Sequence, residues 1–541
     1  MSQPAAPQSG PVLTAVSAAL QRGDHATAMR LSEDAVRNGT NDPGLLVLAG
    51  QGRLQMGKPR DALAVLSRAH ELAPDNPEVL NTLGVCLSQL GLHRDAASLL
   101  EKAAGIAPEM PHIHLHLATA LEDLGELRRA QAALEEAARR RPNYTLALSR
   151  LAGLHARRGE FDKARKYAEH TLRFENVPGA TIALAMAEFA DGKLEATRWR
   201  IRPLADDARA GPVNQFIALG IMGDVLDAEG RTADAFAAYS KAREILRAHV
   251  APHFTAEESA IDRIRRLTAY FRVAPVEPWR AQAGTAGSNK PVHVFLVGFP
   301  RSGTTLLEQA LASHGDIRTM EEVDCLGDAV GEYFYAQDGM ERFAALGEAD
   351  LAKLREDYWA RVAAAGVQAD RRIFIDKMPL NSVHQGLIAR LFPGAKILFA
   401  LRDPRDVILS CFRRRLVMSA HMFELSTFEG ATAFYDAVMT LAQFYRDRLG
   451  FPTLDIRHED MVADFDGQMR RVCDFLGVPF DGAMRDFAAH ARDRDIKTPS
   501  AHQIARGLNS EGAGQWKKYR DQFAPVLPVL NPWAERFGYE V

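Results

Sequence analysis

The sequence predicts an α-helical solenoid followed by a three-layer α/β domain with a mostly parallel sheet. Glycines recur every 34 residues in the first half of the chain, which is typical of stacked helix pairs. In the second half, a short apolar run leads into a glycine-containing loop and an amphipathic pattern, which predicts a strand–loop–helix unit. At 541 residues the chain is also too long for one ordinary core, so two or more domains are expected.

Composition and charge limit the classes of function. The chain is 47% hydrophobic and 25% charged with a formal net charge of -3, which argues against a general nucleic-acid binder. The four cysteines (Cys86, Cys325, Cys411 and Cys473) form no CxxC pair, so neither a disulfide framework nor a zinc site is expected. No signal-peptide pattern or membrane span is visible, and we expect a cytoplasmic protein.

The repeat begins at Gly23 and keeps its spacing through Gly57, Gly91, Gly125 and Gly159, each followed five residues later by alanine. Prolines close three units, at Pro74, Pro108 and Pro142. Glycine can end a first helix in the left-handed conformation, and proline cannot continue the second helix. The pattern resembles the tetratricopeptide repeat over about residues 11–179, and a last unit around Gly230 brings the array to roughly seven units.

These patterns divide the chain into four segments. We expect a disordered N-terminus (1–10), the solenoid (11–250), a connecting helix and linker (251–290) and the α/β domain (291–541), because residues 274–291 are rich in Pro, Gly, Ala and Ser. Repeats of this kind present binding surfaces, so we expect the array to hold a partner or a substrate. The alternative is a spacer, or an arm that holds a homodimer together.

The second half opens with an anion-binding pattern. The apolar run 293–297 is followed by GFPRSGTT (298–305) and then by a helical pattern. In such a unit the backbone N–H groups and the helix N-terminus cradle an oxyanion. A Walker A loop requires Lys where Thr304 stands, which counts against an ATPase, a GTPase or a P-loop kinase. The loop carries its own cation, Arg301, which suits a phosphosulfate better than a metal-bound triphosphate.

PRSGTT (300–305) after a strand resembles the 5′-phosphosulfate loop of the sulfotransferases. The resemblance implies that 3′-phosphoadenosine 5′-phosphosulfate is the co-substrate. Five residues are then expected at its phosphosulfate end: Arg301, Ser302, Gly303, Thr304 and Thr305.

A second motif follows about a hundred residues later. The apolar run KILFAL (396–401) leads into RDPRDVILS, which is similar to the 3′-phosphate motif of the same family and implies that Arg402 and Ser410 bind that phosphate. Near the end of the chain, QIAR (503–506) resembles a loop that closes over the nucleotide, with Arg506 adding a cation. The resemblance covers about residues 291–520.

In-line transfer of a sulfuryl group to a hydroxyl requires a general base near the acceptor and positive charge near the leaving phosphate. The chemistry does not require a metal. The resemblance to tyrosylprotein sulfotransferases places the base on Glu322 and the leaving-group cation on Lys377, with Arg301 as a further catalytic cation. Glu321 is expected to be solvated, to cap a helix or to pair with an arginine. His314 is a rival base, but its place at a helix end is more typical of a cap.

Two single residues and one arginine run have interpretations outside the catalytic set. Asp376 ends an apolar run like a Walker B strand, and without the P-loop lysine we expect it to position a loop. His384 is expected to pack on an apolar helix face. The run of Arg413, Arg414 and Arg415 fits either contact with the nucleotide or an acidic substrate, or a solvated basic helix end.

The acceptor is the least determined part of the function. Tyrosine in a peptide or protein is the first choice, because the Glu-Glu pair and Lys377 match that subfamily and the repeat arm can hold a polypeptide. A glycan or small-molecule hydroxyl is the second choice. Two alternatives from other classes remain, a P-loop kinase and a non-enzymatic repeat scaffold. A kinase needs Mg²⁺ and ATP, and the intact set of motif residues argues against the scaffold.

Overall fold

The computed structural model of the chain describes residues 9–254, 258–280, 291–414, 423–488, 507–508 and 512–541. The chain divides into two compact units, Met1–Asp191 and Gly192–Val541. Residues 281–290 of the predicted linker and most of the predicted disordered N-terminus lie outside the described residues. Within the described ranges, no helix has both the length and the apolar character needed to cross a bilayer.

The first unit consists of consecutive helices joined by short turns. They are α1 (Ser9–Gln21), α2 (His25–Arg37), α3 (Pro43–Gln55), α4 (Pro59–Leu72), α5 (Pro77–Gln89), α6 (His93–Ile106), α7 (Pro111–Asp123), α8 (Leu127–Arg140), α9 (Thr145–Arg157), α10 (Phe161–Leu172) and α11 (Pro178–Ala190). The five predicted glycines follow α1, α3, α5, α7 and α9, each with a φ between 70° and 80°. Pro74, Pro108 and Pro142 each lie two residues beyond a helix end. The predicted solenoid of helix pairs is therefore confirmed.

The second unit begins with the last helices of the array. These are α12 (Leu194–Asp206), α13 (Pro212–Ala228) and α14 (Thr232–Val250), followed by the predicted connecting helix α15 (Ala260–Val273). Gly230, with φ +76°, joins α13 to α14 as the sequence predicts. Leu226 and Tyr239 of this helix pair are buried in the same hydrophobic core as one face of the sheet.

The sheet has five parallel strands in the order β2-β3-β1-β4-β5. They are β1 (Val292–Gly298), β2 (Ile317–Glu321), β3 (Ile373–Lys377), β4 (Lys396–Leu401) and β5 (Thr453–Arg457). The remaining α-helices within the described ranges are α16 (Thr304–Ala312), α17 (Gly327–Ala329), α18 (Gly339–Ala344), α19 (Glu348–Ala364), α20 (Gln385–Leu391), α21 (Pro404–Arg413), α22 (Phe428–Leu449), α23 (His458–Ala463), α24 (Phe465–Leu476), α25 (Arg520–Phe523) and α26 (Leu527–Arg536).

Side chains of β1 alternate between two buried cores. Val294 and Leu296 pack with α16 and α24, whereas Phe295 and Val297 pack with α19 to α22 on the other face. A strand with both faces buried reads as a continuous apolar run, which is why the sequence of β1 contains almost no polar residue. Helices on both faces of a parallel sheet confirm the predicted three-layer α/β fold.

All five strands are parallel, so their carboxyl ends meet at one edge. These ends are Gly298, Glu321, Lys377, Leu401 and Arg457. The strand order changes direction around β1, and open α/β sheets bind ligands in the crevice at such a point. The residues that directly follow the strands are therefore the first place to look for a site.

Candidate active site

The loop between β1 and α16 has the geometry of an anion cradle. The N–H of Ser302 donates to the carbonyl of Phe299 at 3.1 Å, which closes a tight turn. Gly303 then precedes α16 with φ +94°, a conformation that favours glycine. The side chains of Ser302, Thr304 and Thr305 are buried at this turn. The N–H groups of the first helical turn have no intrahelical acceptor and carry partial positive charge.

Backbone strain in the described residues falls on two of the predicted catalytic positions. Arg301 has φ +73° and Glu322 has φ +47°, and no other non-glycine residue there has a positive φ. Such a conformation costs about 1–3 kcal/mol and persists only where the surroundings enforce it, most often at functional sites.

The two predicted phosphate motifs meet in space. Nε of Arg301 donates to Oγ of Ser410 at 3.1 Å. Nη1 of Arg402 donates to the carbonyl oxygen of Arg301 at 3.1 Å, and Nη2 of Arg402 donates to the carbonyl of Gly512. The structure thus brings Arg301, Arg402 and Ser410 together, although about a hundred residues separate the two motifs.

Positive charge is concentrated around this contact. Burial, and then the nearby guanidinium groups of Arg414 and Arg402, lower the pKa of Arg301 to about 9, so it stays protonated at neutral pH. Like charges in a buried site repel each other, and a bound anion relieves that repulsion. Arg414, whose role the sequence left open, therefore belongs to the electrostatic surroundings of the loop.

Two buried nitrogen atoms fit the same interpretation. Nε of Arg402 and Nδ1 of His458 have no hydrogen-bond partner in the described part of the chain. A Cβ on Gly303 would lie 2.8 Å from that Nδ1, so His458 borders the loop closely. Burial, with Arg402 and Arg301 nearby, lowers the pKa of His458 to about 3, which keeps its ring neutral. Unsatisfied polar atoms in a cationic pocket match a phosphate-bearing ligand.

His458 was not predicted as a site residue. It directly follows β5, as Arg402 directly follows β4, and its position after a strand is the sequence signal that could have identified it.

The second part of the site surrounds Lys377, whose side chain is 0% exposed. Its Nζ lies 2.9 Å from Oε1 of Glu322 and 3.3 Å from Oε1 of Glu321. Burial lowers the pKa of Lys377, but the carboxylates of Glu321, Glu322 and Glu308 outweigh that effect and raise it. The ammonium group is therefore held charged between the two residues of the predicted Glu-Glu pair.

Glu308 is a member of this cluster that the sequence did not indicate. Its side chain on α16 is fully buried and accepts hydrogen bonds from Oγ1 of Thr319 and Nε2 of Gln309. Glu308 acts on the Lys377 ammonium group through its charge, and Glu321 and Glu322 contact it directly. Burial and the charges of Glu308 and Glu322 accordingly raise the pKa of Glu321, against the lowering effect of Lys377.

The two carboxylates of the pair differ in access to solvent. The Glu321 side chain is 13% exposed and that of Glu322 is 34% exposed. The expectation that Glu321 is solvated, caps a helix or pairs with an arginine is wrong, since its partner is Lys377. Glu322 is the carboxylate that a molecule from solvent can reach.

Asp376 was expected to position a loop, and the structure contradicts this. Successive strand residues point to opposite faces, so Asp376 points away from Lys377 into the other core. There it accepts a hydrogen bond from the hydroxyl of Tyr358 at 2.8 Å, and that hydroxyl lies 3.0 Å from Nε2 of His293. Burial raises the pKa of Asp376 to about 7.

The two histidines singled out in the sequence, His314 and His384, are held by contacts outside the site. His314 is buried, with Nε2 2.9 Å from the carbonyl of Pro479 and Nδ1 accepting from the N–H of Asp316 at 3.0 Å. Both ring nitrogens are engaged, which argues against a base. His384 precedes α20 rather than lying on its face, and its ring packs against Phe334 at 5.3 Å.

The three arginines of the run 413–415 have different surroundings. Arg413 forms an ion pair with Asp227 at 2.9 Å, so it is neither solvated nor turned to the phosphate loop. Arg415 and the predicted nucleotide-closing residue Arg506 lie outside the described residues.

The remaining charges of RDPRD hold the end of the chain. Arg405 forms a two-point contact with Asp403 at 2.9 and 2.8 Å and donates to the carbonyl of Glu540 at 2.6 Å. Asp406 accepts from the N–H groups of Gly514 and Trp516 at 2.6 and 2.9 Å. Arg402 alone of these charged residues turns to the phosphate loop. Across the described ranges, no group of three or more His, Cys, Asp or Glu residues is placed to hold a metal ion.

Family models match two separate parts of the chain. The model of the sulfotransferase family matches residues 291–482. Two models of the tetratricopeptide repeat match residues 47–111 and 89–143. The two resemblances stated from the sequence are therefore confirmed, one for the repeat array and one for the α/β domain.

Individual relatives are distant. An uncharacterized protein of Aquifex aeolicus (strain VF5) is 24% identical over 280 residues, which cover 50% of this chain and 35% of that protein. A protein-tyrosine sulfotransferase of Drosophila melanogaster is 26% identical over 268 residues, which cover 46% of this chain and 53% of that protein. The chain thus spans about a third and about a half of the length of these two relatives. The sulfotransferase domain of the Synechococcus PCC 7002 olefin synthase is 26% identical with a TM-score of 0.34, covering 48% of this chain and 99% of that one.

Proposed function

We propose that the chain transfers the sulfuryl group of 3′-phosphoadenosine 5′-phosphosulfate to an acceptor hydroxyl. The observation that carries this proposal is the 3.1 Å contact between Arg301 and Ser410. It joins the loop that fits a 5′-phosphosulfate to the helix that fits a 3′-phosphate. A ligand that spans both must carry anionic groups at both its 3′ and 5′ ends.

The proposed donor contacts follow from the loop geometry. Ser302, Gly303, Thr304 and Thr305 offer backbone N–H groups and hydroxyls to the phosphosulfate, and Arg301 adds a guanidinium group. Arg402 and Ser410 hold the 3′-phosphate, with His458 beside them. Arg506 remains a prediction for the same phosphate, and no metal is part of the proposal.

The proposed reaction is an in-line transfer. The acceptor oxygen attacks sulfur, a new S–O bond forms, and the bond between sulfur and the bridging phosphate oxygen breaks. Glu322 takes the acceptor proton, and the electron pair of the broken bond stays on the phosphate. Lys377 and Arg301 stabilise the charge that develops on that oxygen.

For the acceptor we propose the phenol of tyrosine in a peptide or protein. The Glu-Glu pair beside Lys377 supports this choice, as does the similarity to the protein-tyrosine sulfotransferase of Drosophila melanogaster. A glycan or small-molecule hydroxyl is the other candidate within the same chemistry. We further propose that the repeat array holds the acceptor. The cytoplasmic location and the homodimer remain predictions.

Ligand binding and label transfer test the proposal together. Adenosine 3′,5′-bisphosphate should bind and raise the melting temperature, and Arg402→Ala should weaken this binding about tenfold to a hundredfold, since a hydrogen bond to a charged group contributes about 1.5–3 kcal/mol. Incubation of a lysate with sulfur-labelled donor should give a labelled species that mass spectrometry identifies. Tighter binding of ATP with Mg²⁺ than of the bisphosphate would show that the donor assignment is wrong and favour a kinase.

A further inference from the structure

The helix that carries Ser410 is capped by a side chain from the repeat array. Arg243 on α14 is 2% exposed. Its Nε donates to the carbonyl of Phe412 at 3.0 Å and its Nη2 to the carbonyl of Cys411 at 2.5 Å. Nη2 also donates to the carbonyl of Arg414. These carbonyls end α21, where backbone acceptors have no helical N–H partner.

A second contact comes from the neighbouring helix α13. Oδ2 of Asp227 accepts from Nη2 of Arg413 at 2.9 Å, and its Oδ1 accepts from the hydroxyl of Tyr519 at 2.5 Å. Arg413 lies three residues after Ser410. Tyr519 ends the 3-10 helix Gln515–Tyr519, which lies just after Gly512, whose carbonyl accepts from Arg402. Asp227 therefore ties together the two chain segments that flank the predicted 3′-phosphate site.

The positive charge of Arg243 lies at the end of α21 where it is most favourable. The carboxyl end of a helix carries partial negative charge, so the guanidinium group of Arg243 stabilises the end of α21. Removing it would leave buried carbonyls without donors, which is costly. The end of α21 in turn fixes where Ser410 meets Arg301, and where Arg414 adds its charge.

We propose that Arg243 and Asp227 are positioning residues for the 3′-phosphate site. By holding the end of α21, they keep Ser410, Arg301 and Arg402 at the spacing that a 3′-phosphate requires. The inference rests on the proposed function. It adds helices α13 and α14, which belong to the predicted solenoid, to the parts of the chain that hold the donor site in place. The last helix pair of the array thus serves the donor, whatever the rest of the array holds.

Two ligands separate a positioning role from a merely stabilising one. Adenosine 3′,5′-bisphosphate and adenosine 5′-phosphate differ only in the 3′-phosphate. The dissociation constant of the 5′-phosphate divided by that of the bisphosphate, the ligand ratio, therefore measures the contribution of that group. In the full-length protein, Arg243→Met should lower this ratio about tenfold, the effect of losing one well-placed charged hydrogen bond. Arg243→Lys should restore part of the ratio. General destabilisation would weaken both ligands alike.

A matched control lies one turn along the same helix. Arg247 donates to the carbonyl of Phe423 at 3.1 Å and to Oγ of Ser426 at 2.6 Å. It makes the same kind of backbone contact, but to a segment beyond α21. Arg247→Met should leave the ligand ratio at the wild-type value.

Asp227→Asn provides a second test that preserves shape and is expected to fold even if Arg243→Met does not. It weakens the link to Arg413 and should also lower the ligand ratio. A wild-type ratio in Arg243→Met, or in Asp227→Asn where Arg243→Met does not fold, would overturn the inference, as would an equal loss in Arg247→Met. A wild-type protein that does not discriminate between the two ligands would instead refute the proposed function.

Discussion

Lys377 contacts Glu322 at two points. Its Nζ lies 2.9 Å from Oε1 of Glu322, and its carbonyl oxygen accepts a hydrogen bond from the N–H of Glu322 at 2.8 Å. The second contact fixes the backbone of a residue with a positive φ, and the first fixes its carboxylate. The proposed base and the proposed leaving-group cation are therefore held against each other at the ends of β2 and β3.

Glu322→Gln tests the base. Glutamine can still accept a hydrogen bond from Lys377 but cannot take the acceptor proton. Turnover should fall about 10² to 10⁴-fold, the usual range for a general base, while affinity for adenosine 3′,5′-bisphosphate stays unchanged. Initial rates and calorimetric titration measure the two quantities.

Glu321→Gln is the control, because Glu321 is the more buried partner of the same lysine. Its effect on turnover should be much smaller. Equal losses in the two variants, or a loss only in Glu321→Gln, would mean that the wrong carboxylate was chosen.

Gly303→Ala tests the phosphate loop. Position 303 has φ +94°, and an added Cβ would come within 2.8 Å of Nδ1 of His458. Both effects oppose the loop conformation, and the left-handed region alone costs a non-glycine residue about 1–2 kcal/mol. Affinity for the bisphosphate should fall about tenfold or more, because about 1.4 kcal/mol corresponds to a factor of ten in the dissociation constant. Gly315→Ala is the matched control, since nothing lies within 4 Å of its Cβ position; an equal loss there would count against the cradle.

Asp376→Asn tests the buried carboxyl group behind the site. Burial raises its pKa from 3.8 to about 7, so the native state binds a proton that the unfolded chain releases near pH 4. This contribution to the free energy of unfolding is fully present below about pH 4 and is lost as pH rises to about 7, with a size on the order of a few kcal/mol. Asn carries no such proton, so the melting temperature of the variant relative to wild type should rise over that range.

One other titrating group and one control variant bear on this measurement. Burial lowers the pKa of His293 to about 3, so its contribution is lost as pH falls, but it is common to both proteins and largely cancels in the difference. Asp370→Asn changes an exposed carboxylate whose pKa Arg318 lowers, and it should show no trend between pH 5 and 8 by the same linkage. A flat difference for Asp376→Asn would refute the raised pKa.

Local sequence signals were sufficient for the fold class and for most of its elements. Glycine spacing and proline positions mark helix ends through backbone conformation alone, and the apolar runs of β1 and β4 mark strands buried on both faces. The apolar runs also bring Arg301, Lys377 and Arg402 to one sheet edge, because each follows or ends a predicted strand. Strand β2, which brings Glu322 to the same edge, was not predicted.

The rest of the site depends on tertiary packing. Glu308 occupies an ordinary polar position in an amphipathic helix, and only the packing of α16 on the sheet buries it beside Lys377. Arg243 meets its backbone partners 168 or more residues away, a separation that no local pattern encodes. Asp376 is different: strand alternation already places it opposite Lys377, so its misassignment was avoidable.

The last prediction concerns the first helices of the repeat units. Adjacent first helices exchange side-chain contacts: Nε2 of His112 lies 3.0 Å from Oε1 of Glu78, and Nη2 of Arg150 lies 3.1 Å from Oε2 of Glu122. Nδ1 of His116 lies 2.7 Å from Oδ1 of Asn81 in the same row. These polar groups line one face of the array with hydrogen-bonding capacity that suits a polypeptide.

The double variant His112→Ala, Arg150→Ala in the full-length protein should therefore slow sulfuryl transfer to the acceptor that the labelling experiment identifies. Remote binding energy orients an acceptor at the reacting centre, so kcat/KM for that acceptor should fall about tenfold while slow transfer to a small phenol stays unchanged. Arg139→Ala is the control, because Arg139 lies on a second helix, 69% exposed and paired with Glu136. An array that only joins two subunits predicts unchanged acceptor preference with an altered mass in light scattering. Unchanged kinetics on both acceptors in the double variant would rule out acceptor binding by this face.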